Sequence, residues 1–246
     1  MSKKSFKKYL VLVVLFFLPV VFLLMLYPST NNYNVLDVVK EEVLDITNLP
    51  SVKNVNPIVL QDHITVLGFL GSDPESKIVE MSNLKELVYT KFKGFKKFQI
   101  VMIVTMESQE KTSRLIQELN KYSEHKYWHF VYANDRDIKR LFNSLRTSLQ
   151  LNSNLATNSV FIVDKELNQR GRLDDRTKKE IEKQDKAYPL TAYDCSQVSV
   201  IKNKLAAEDL RVLLEEYRKS GRNNKVDSSK RRAKDLNPNK TGEIKI

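Results

Sequence analysis

Residues 64–76 read ITVLGFLGSDPES, a nearly unbroken apolar run that stops at Gly71 and restarts, past Asp73 and Pro74, as the head of a helix. Ile64 to Leu70 has the length and composition of a strand covered on both faces. From Glu75 to Phe92, the residues Ile78, Met81, Leu84, Val88 and Phe92 recur at helical spacing. The alternation continues downstream. Phe98 to Thr105 (FQIVMIVT) predicts a second buried strand, followed by a helix with Leu115, Ile116, Leu119 and Tyr122 on one face. Trp128 to Ala133 predicts a third strand and Asp135 to Leu149 a third helix, carrying Ile138, Leu141, Phe142, Leu145 and Leu149. Ser159 to Asp164 (SVFIVD) predicts a fourth strand, which Asn168 and Gly171 turn into a hairpin, and a last helix is expected over Ala206–Lys219.

The resulting order, β-α-β-α-β-α-β-β-α, argues for an α/β domain with parallel pairings and an antiparallel end to the sheet. It is the order of a thioredoxin-like three-layer sandwich, although other small α/β folds begin in the same way. Upstream stands an apolar run from Tyr9 to Tyr27, preceded by Lys3, Lys4, Lys7 and Lys8. Its length approaches the roughly 20 residues a transmembrane helix needs. No small-residue cleavage site follows it, so it reads as a retained signal anchor. The lysines hold that end in the cytoplasm and direct the rest outward, which in a bacterial inner membrane means toward the periplasm. The expected organisation is a cytoplasmic basic segment (1–8), the single-pass anchor (9–27), which contacts membrane lipid, a tether (28–57), the domain (58–219) and a disordered basic tail (220–246). Within the tether, the stretch from Val35 to Ile46 has the composition of a short helix.

The formal net charge of +11 would suggest a nucleic-acid partner if it were spread over the domain. It is not. Beyond the amino-terminal lysines, the excess lies in ten basic residues from Arg218 onward, which face only Asp227, Asp235 and Glu243. The body between is neutral, so a nucleic-acid-binding fold is not expected. Cys195 is the one cysteine, and the fold must stand without an internal disulfide.

Four features together, the anchor, ITVLGFLGSDPES, the segment LNSNLATNSVFIVD (151–164) and RGRLDD (170–175), give the chain a resemblance to the Sco/SenC family over roughly residues 60 to 218. These are membrane-tethered bacterial thioredoxin-fold factors that handle copper during cytochrome c oxidase assembly. The resemblance is closer to a divergent branch than to the copper-binding members. It implies a site of two thiolates spaced CxxxC at a helix start, with a histidine before the SVFIVD-type strand; thiolates are soft ligands suited to copper. This chain carries Gly71, Ser72, Asp73, Pro74, Glu75, Ser76 and Lys77 at the first position and Ala156 near the second. Thr157 and Asn158 stand where a proline often precedes that strand. The helix start instead reads as a capped terminus, with Ser72 and Glu75 in capping-box spacing or Asp73 as cap before Pro74. The expectation is a degenerate site, with no cofactor; copper enters by family resemblance alone.

Among the remaining residues, Cys195 follows Tyr193 and Asp194 in a loop and reads as an incidental thiol. His125 and His129 have the i, i+4 spacing of a metal pair but fall at a strand start, and no third ligand is evident; His63 reads as a surface residue. Arg170, Arg172, Asp174 and Asp175 form a dense charged hairpin, either a solvated turn or a partner-docking edge. No nucleophile with a base and no phosphate-cradling glycine loop is found. The function expected is therefore a non-enzymatic assembly or interaction factor whose partner is a membrane protein, in the resemblance a respiratory oxidase subunit. Two alternatives stay open: copper or thiol-disulfide handling by Cys195 with a partner's thiol, and an envelope interaction module unrelated to respiration. The basic tail reads as a solubilising segment or as one drawn to anionic lipid.

Overall fold

A computed structural model of the chain describes residues 3–26, 35–49, 58–121 and 125–223. It divides into two units, residues 1–34 and 35–246. The first holds α1 (Lys3–Leu26), with Pro19 inside it. Its described side chains, residue 9 and residues 11–22, are apolar apart from the Tyr9 hydroxyl and are exposed at the large hydrophobic positions. Among the described residues no helix is long and apolar enough to cross a membrane. The expected anchor over 9–27 runs beyond them, and most of the expected tail, 224–246, lies outside them.

The second unit contains β1 (Asp37–Lys40), β2 (Ile64–Gly71), α2 (Ile78–Leu84), α3 (Thr90–Phe92), β3 (Phe98–Thr105), α4 (Gln109–Leu119), β4 (Trp128–Ala133), α5 (Asp135–Asn143), β5 (Ser159–Val163), β6 (Gln169–Gly171), α6 (Lys178–Glu182), β7 (Tyr193–Asp194) and α7 (Leu210–Asn223). Two π-helical segments interrupt the helices: Lys85–Tyr89 joins α2 to α3, and Val200–Asp209 leads into α7. The sheet order is β1-β6-β5-β2-β3-β4, with β7 also paired to β5. Strands β2, β3 and β4 are parallel (Ile64 opposite Phe98, Ile100 opposite Trp128), whereas β5, β6 and β1 pair antiparallel.

Every residue of β2 and β3 is buried. Burial on both faces explains why they read as continuous apolar runs rather than alternating ones. One face carries Leu67, Phe69, Val101, Ile103 and Phe161 against Ile138, Leu141 and Phe142 of α5. Phe69, Phe142 and Phe161 meet edge to face, with centroids 5.2–6.2 Å apart. On the opposite face Gly68, Met102 and Val160 share a register level and meet Met81 of α2. Both faces are thus covered by helices.

Several expected boundaries change. Residues 35–49 are not a tether: β1 pairs β6 at the sheet edge, and Leu36, Val38, Val39, Val43, Ile46 and Leu49 are all buried. Nor is there a helix from Val35 to Ile46, since the buried Asp45 carboxylate turns the chain by accepting the backbone N–H groups of Thr47, Leu60 and Gln61 at 3.2–3.3 Å. The tether reading rested on the Asn, Ser and Pro content of residues 28–34 and 50–57, which lie outside the described residues. Helix α5 stops at Asn143 rather than Leu149, because the Gln169 side chain takes both the N–H of Arg146 (2.7 Å) and its C=O (3.2 Å). The closing helix begins six residues early, at Val200, and α7 continues to Asn223, past the expected end of the domain at Lys219. Tyr122, expected on the second helix, lies outside the described residues. The β5–β6 hairpin forms as expected, its turn tied by the Asp164 carboxylate accepting from the N–H groups of Glu166 and Asn168.

Candidate functional site

At the carboxyl end of β2 the two segments expected to frame a thiol site do converge. Ser72 N–H donates to the Asn154 carbonyl at 2.9 Å, and Thr157 N–H donates to the Phe69 carbonyl at 3.0 Å. Gly71 makes this closeness possible. Its φ is +62°, and a Cβ there would lie 1.7 Å from the Asn154 carbonyl oxygen. The 152–156 loop is itself folded over the Asn152 side chain, whose Oδ1 accepts from the N–H groups of Asn154 and Ala156, both at 2.9 Å.

No capping box closes the helix start. Asp73 occupies the N-cap position before Pro74 but makes no side-chain cap hydrogen bond. Its carboxylate accepts instead from Lys111 Nζ at 2.9 Å, and that bond holds its pKa below the usual carboxylate value. Glu75 likewise turns to α4, where Arg114 donates from Nε at 3.0 Å and from Nη2 at 3.2 Å. Carboxylates that could have capped the helix therefore pin it to its neighbour. Lys77 donates to the Asn158 side-chain carbonyl, and the hollow beneath, lined by Gly68, Met81, Met102, Asn158 and Val160, is too narrow for a water molecule. The corner offers paired carboxylates and amides where a thiolate site needs two sulfurs. This donor set does not fit a copper ion of the kind the resemblance implies.

Cys195 lies closer to this corner than its place in the sequence indicated. Its N–H donates to the Asn158 carbonyl at 2.9 Å, and its own carbonyl accepts from Asn83 Nδ2 at 3.1 Å. The side chain is fully buried, and burial, followed by the charges of Asp194 and Glu80, pushes the thiol pKa far up. A neutral, inaccessible thiol is a poor nucleophile and a poor ligand. His125 and His129 do not form a pair. His125 Nδ1 bonds Asn120 Oδ1 at 2.6 Å beside Tyr89, whereas His129 lies on β4 near His63; burial lowers both pKa values. Among the described residues no cluster of three His, Cys, Asp or Glu could hold a metal ion.

The charged hairpin is not a solvated turn: its charges are engaged within the domain. Arg170 is 4% exposed, donates to Glu216 of α7 at 2.8 Å and faces Asp164 at 3.5 Å. Arg172 donates through Nε at 2.8 Å to the fully buried Asp209 at the end of the π-helical run, whose other oxygen accepts from the Tyr193 hydroxyl at 2.6 Å. Asp175 pairs with Lys204 at 3.0 Å, and Asp174 with Arg176 at 2.8 Å. Burial raises the pKa of Asp164 and of Asp209 despite the opposing arginines. Arg170, Arg172 and Asp175 reach Glu216, Asp209 and Lys204 on the closing helical segment, so RGRLDD is the inner half of a clamp between β6 and that segment. The local sequence gave no sign of Glu216 or Asp209; the usable signal was Asp209 itself, standing among Leu205, Ala206, Leu210 and Leu213.

The sheet order, with a parallel βαβ unit followed by an antiparallel hairpin and a closing helix, defines a thioredoxin-like mixed α/β domain. No family model matches the chain, and no curated protein matches it in sequence. Among solved structures it is similar to BsSco, a member of the Sco family of cytochrome c oxidase assembly proteins, at 10% identity over 70% of this chain and 96% of that one (TM-score 0.40). It is also similar to a yeast mitochondrial 1-Cys peroxiredoxin, at 16% identity over 73% and 78% of the two chains (TM-score 0.40). A third similarity is to the thioredoxin domain of a thiol-disulfide oxidoreductase from Bacteroides vulgatus, at 16% identity over 57% and 86% (TM-score 0.32).

Proposed function

We propose that this chain is a membrane-anchored, extracytoplasmic thioredoxin-like protein that acts by binding a membrane protein rather than by thiol or copper chemistry. The observation that carries this reading is the closed corner. Where a reactive pair would stand, Gly71, Asn154, Thr157 and Asn158 seal the backbone, and Asp73 and Glu75 are committed to Lys111 and Arg114. The apolar run from Tyr9 to Tyr27 behind four lysines supports an inner-membrane anchor in contact with lipid, with the domain facing the periplasm. The Sco/SenC resemblance of residues 60–218 makes assembly of cytochrome c oxidase the process to test first.

The test is affinity capture with the full-length protein from detergent-solubilised membranes, together with oxidase content and activity in a deletion strain. Co-purification of an oxidase subunit or assembly factor, with reduced oxidase in the deletion, is expected. Normal oxidase together with capture of an unrelated envelope protein would replace the respiratory role by a different interaction. Reaction of native protein with a thiol reagent separates this from a Cys195 chemistry. Labelling is expected only after unfolding, and rapid native labelling, or stoichiometric Cu(I) binding lost in Cys195→Ser, would overturn the non-catalytic reading.

A further inference from the structure

The two edges of the sheet differ in a way that points to a partner. β1 is four residues long, breaks register between Val38 and Lys40, and ends on the exposed Lys40. These are devices that discourage strand addition. β4 has none of them. Its six residues, WHFVYA, contain no lysine, no proline and no bulge against β3, and among the described residues no strand pairs its outer side.

Ile100 N–H donates to the Tyr127 carbonyl at 2.8 Å, which sets the phase of the ladder. Residues 127, 129, 131 and 133 direct their backbone groups at β3, and residues 128, 130 and 132 direct theirs outward. The Trp128 N–H is used by the His125 carbonyl at 3.1 Å. The Trp128 C=O and both groups of Phe130 and Tyr132 face the open edge.

We infer that β4 docks a second copy of this chain, as an antiparallel pair about a two-fold axis with Phe130 opposite Phe130 of the second copy. In that register the two Phe130 residues exchange a reciprocal pair of backbone hydrogen bonds, and each Tyr132 N–H donates to the other copy's Trp128 carbonyl. The same register also lines up aromatic side chains of one face, where Trp128 and Phe130 already stack at 6.5 Å. Beside them lies a small hollow of about 70 Å³ lined by Ile116, Leu119, Asn120, His125, Trp128 and Phe130. Trp128 Nε1 is buried there without a hydrogen-bond partner among the described residues. One charge pair favours the second copy in the antiparallel sense: the exposed Lys126 precedes the strand and the exposed Asp135 follows it, next to Arg136, so antiparallel pairing brings each lysine to the end that carries Asp135. Parallel pairing would stack like charges. A two-fold closes the contact and uses up the β4 edge of each copy, which leaves only the short, irregular β1 edges.

The experiment uses the full chain in detergent. In a Cys195→Ser background, Phe130→Cys is expected to form a disulfide dimer under mild oxidant, since hydrogen-bonded antiparallel partners stand about 5.5 Å apart. Ser113→Cys on α4 is expected not to. Sedimentation velocity is expected to show a concentration-dependent dimer. Lys126→Asp should weaken it roughly fivefold, and the swap Lys126→Asp with Asp135→Lys should restore it. Lys126, Asp135 and Ser113 are exposed, so their variants leave the core intact, and the buried Cys195→Ser change is controlled by comparing every cysteine variant with its Cys195→Ser parent, whose native fold is checked by circular dichroism. A monomer at all concentrations, equal cross-linking at positions 113 and 130, or a dimer indifferent to both charge variants would overturn the proposal.

Discussion

Two charged corners of the same domain obey opposite rules. At the head of α2, Asp73 and Lys111 are 35% and 46% exposed, and Glu75 and Arg114 about equally so; these pairs are screened and individually weak. Between β6 and α7, Arg170 is 4% exposed and Asp209 fully buried, in surroundings where a lone charge is costly. The first corner holds its shape through backbone contacts that need a glycine, with ion pairs as trimming. The second holds its shape through the ion pairs themselves. The domain has its most deeply buried charges at one corner and its tightest backbone approach at the other.

The comparison breaks most readily at Arg170. Arg170→Ala leaves Asp164 buried beside no cation and should cost about 3–5 kcal/mol in urea unfolding, whereas Arg114→Ala should cost under about 1. Equal losses would erase the distinction between the corners. Next in size, Gly71→Ala places a Cβ against the Asn154 carbonyl at positive φ and should cost about 2–3 kcal/mol; Gly94→Ala, with nothing within 4 Å, serves as the neutral control. Tyr193→Phe removes one of the donors to the buried Asp209 and should cost about 1–2 kcal/mol, measured in the same way.

The smallest effect is a slope with pH. Burial raises the Asp209 pKa, so the folded state holds that proton more tightly than the unfolded chain does. Stability relative to Asp209→Asn is then greatest below the unfolded carboxylate value and falls as pH rises through the raised one. Asp73, whose pKa is lowered by Lys111, runs the other way: its small contribution is present above the ordinary value and lost as pH falls through the lowered one. Thermal melts of both variants from pH about 3 to 8 should show slopes of opposite sign. Slopes of the same sign would mean that the two carboxylates share one environment.

Much of the sheet was readable because β2, β3 and β5 are covered on both faces, and apolar runs of that length between turn residues leave few other structures. What escaped was whatever depends on distant partners. Residues 35–49 looked like linker because their neighbours are polar, yet Asp45 organises them through backbone groups of Leu60 and Gln61. RGRLDD looked solvated because charge density carries no record of burial, and its acids, Asp209 and Glu216, arrive on an element 37 to 46 residues later. Cys195 seemed remote from the corner at the end of β2 because β7 is two residues long and has no periodicity to detect.

The π-helical run from Val200 to Asp209 gives the clamp an unusual kind of fragility. A π turn closes on i→i+5 bonds and so accommodates one residue more than the α turn it replaces. Asp209 therefore meets Arg172 and Tyr193 only as long as the wider winding is kept. Rewinding the run to α geometry with all its residues retained would carry Asp209 on around the helix axis, by about 100° for each residue of extra winding, with every side chain of the clamp still present. In this chain the length of one helical turn, as much as any residue identity, is inherited information.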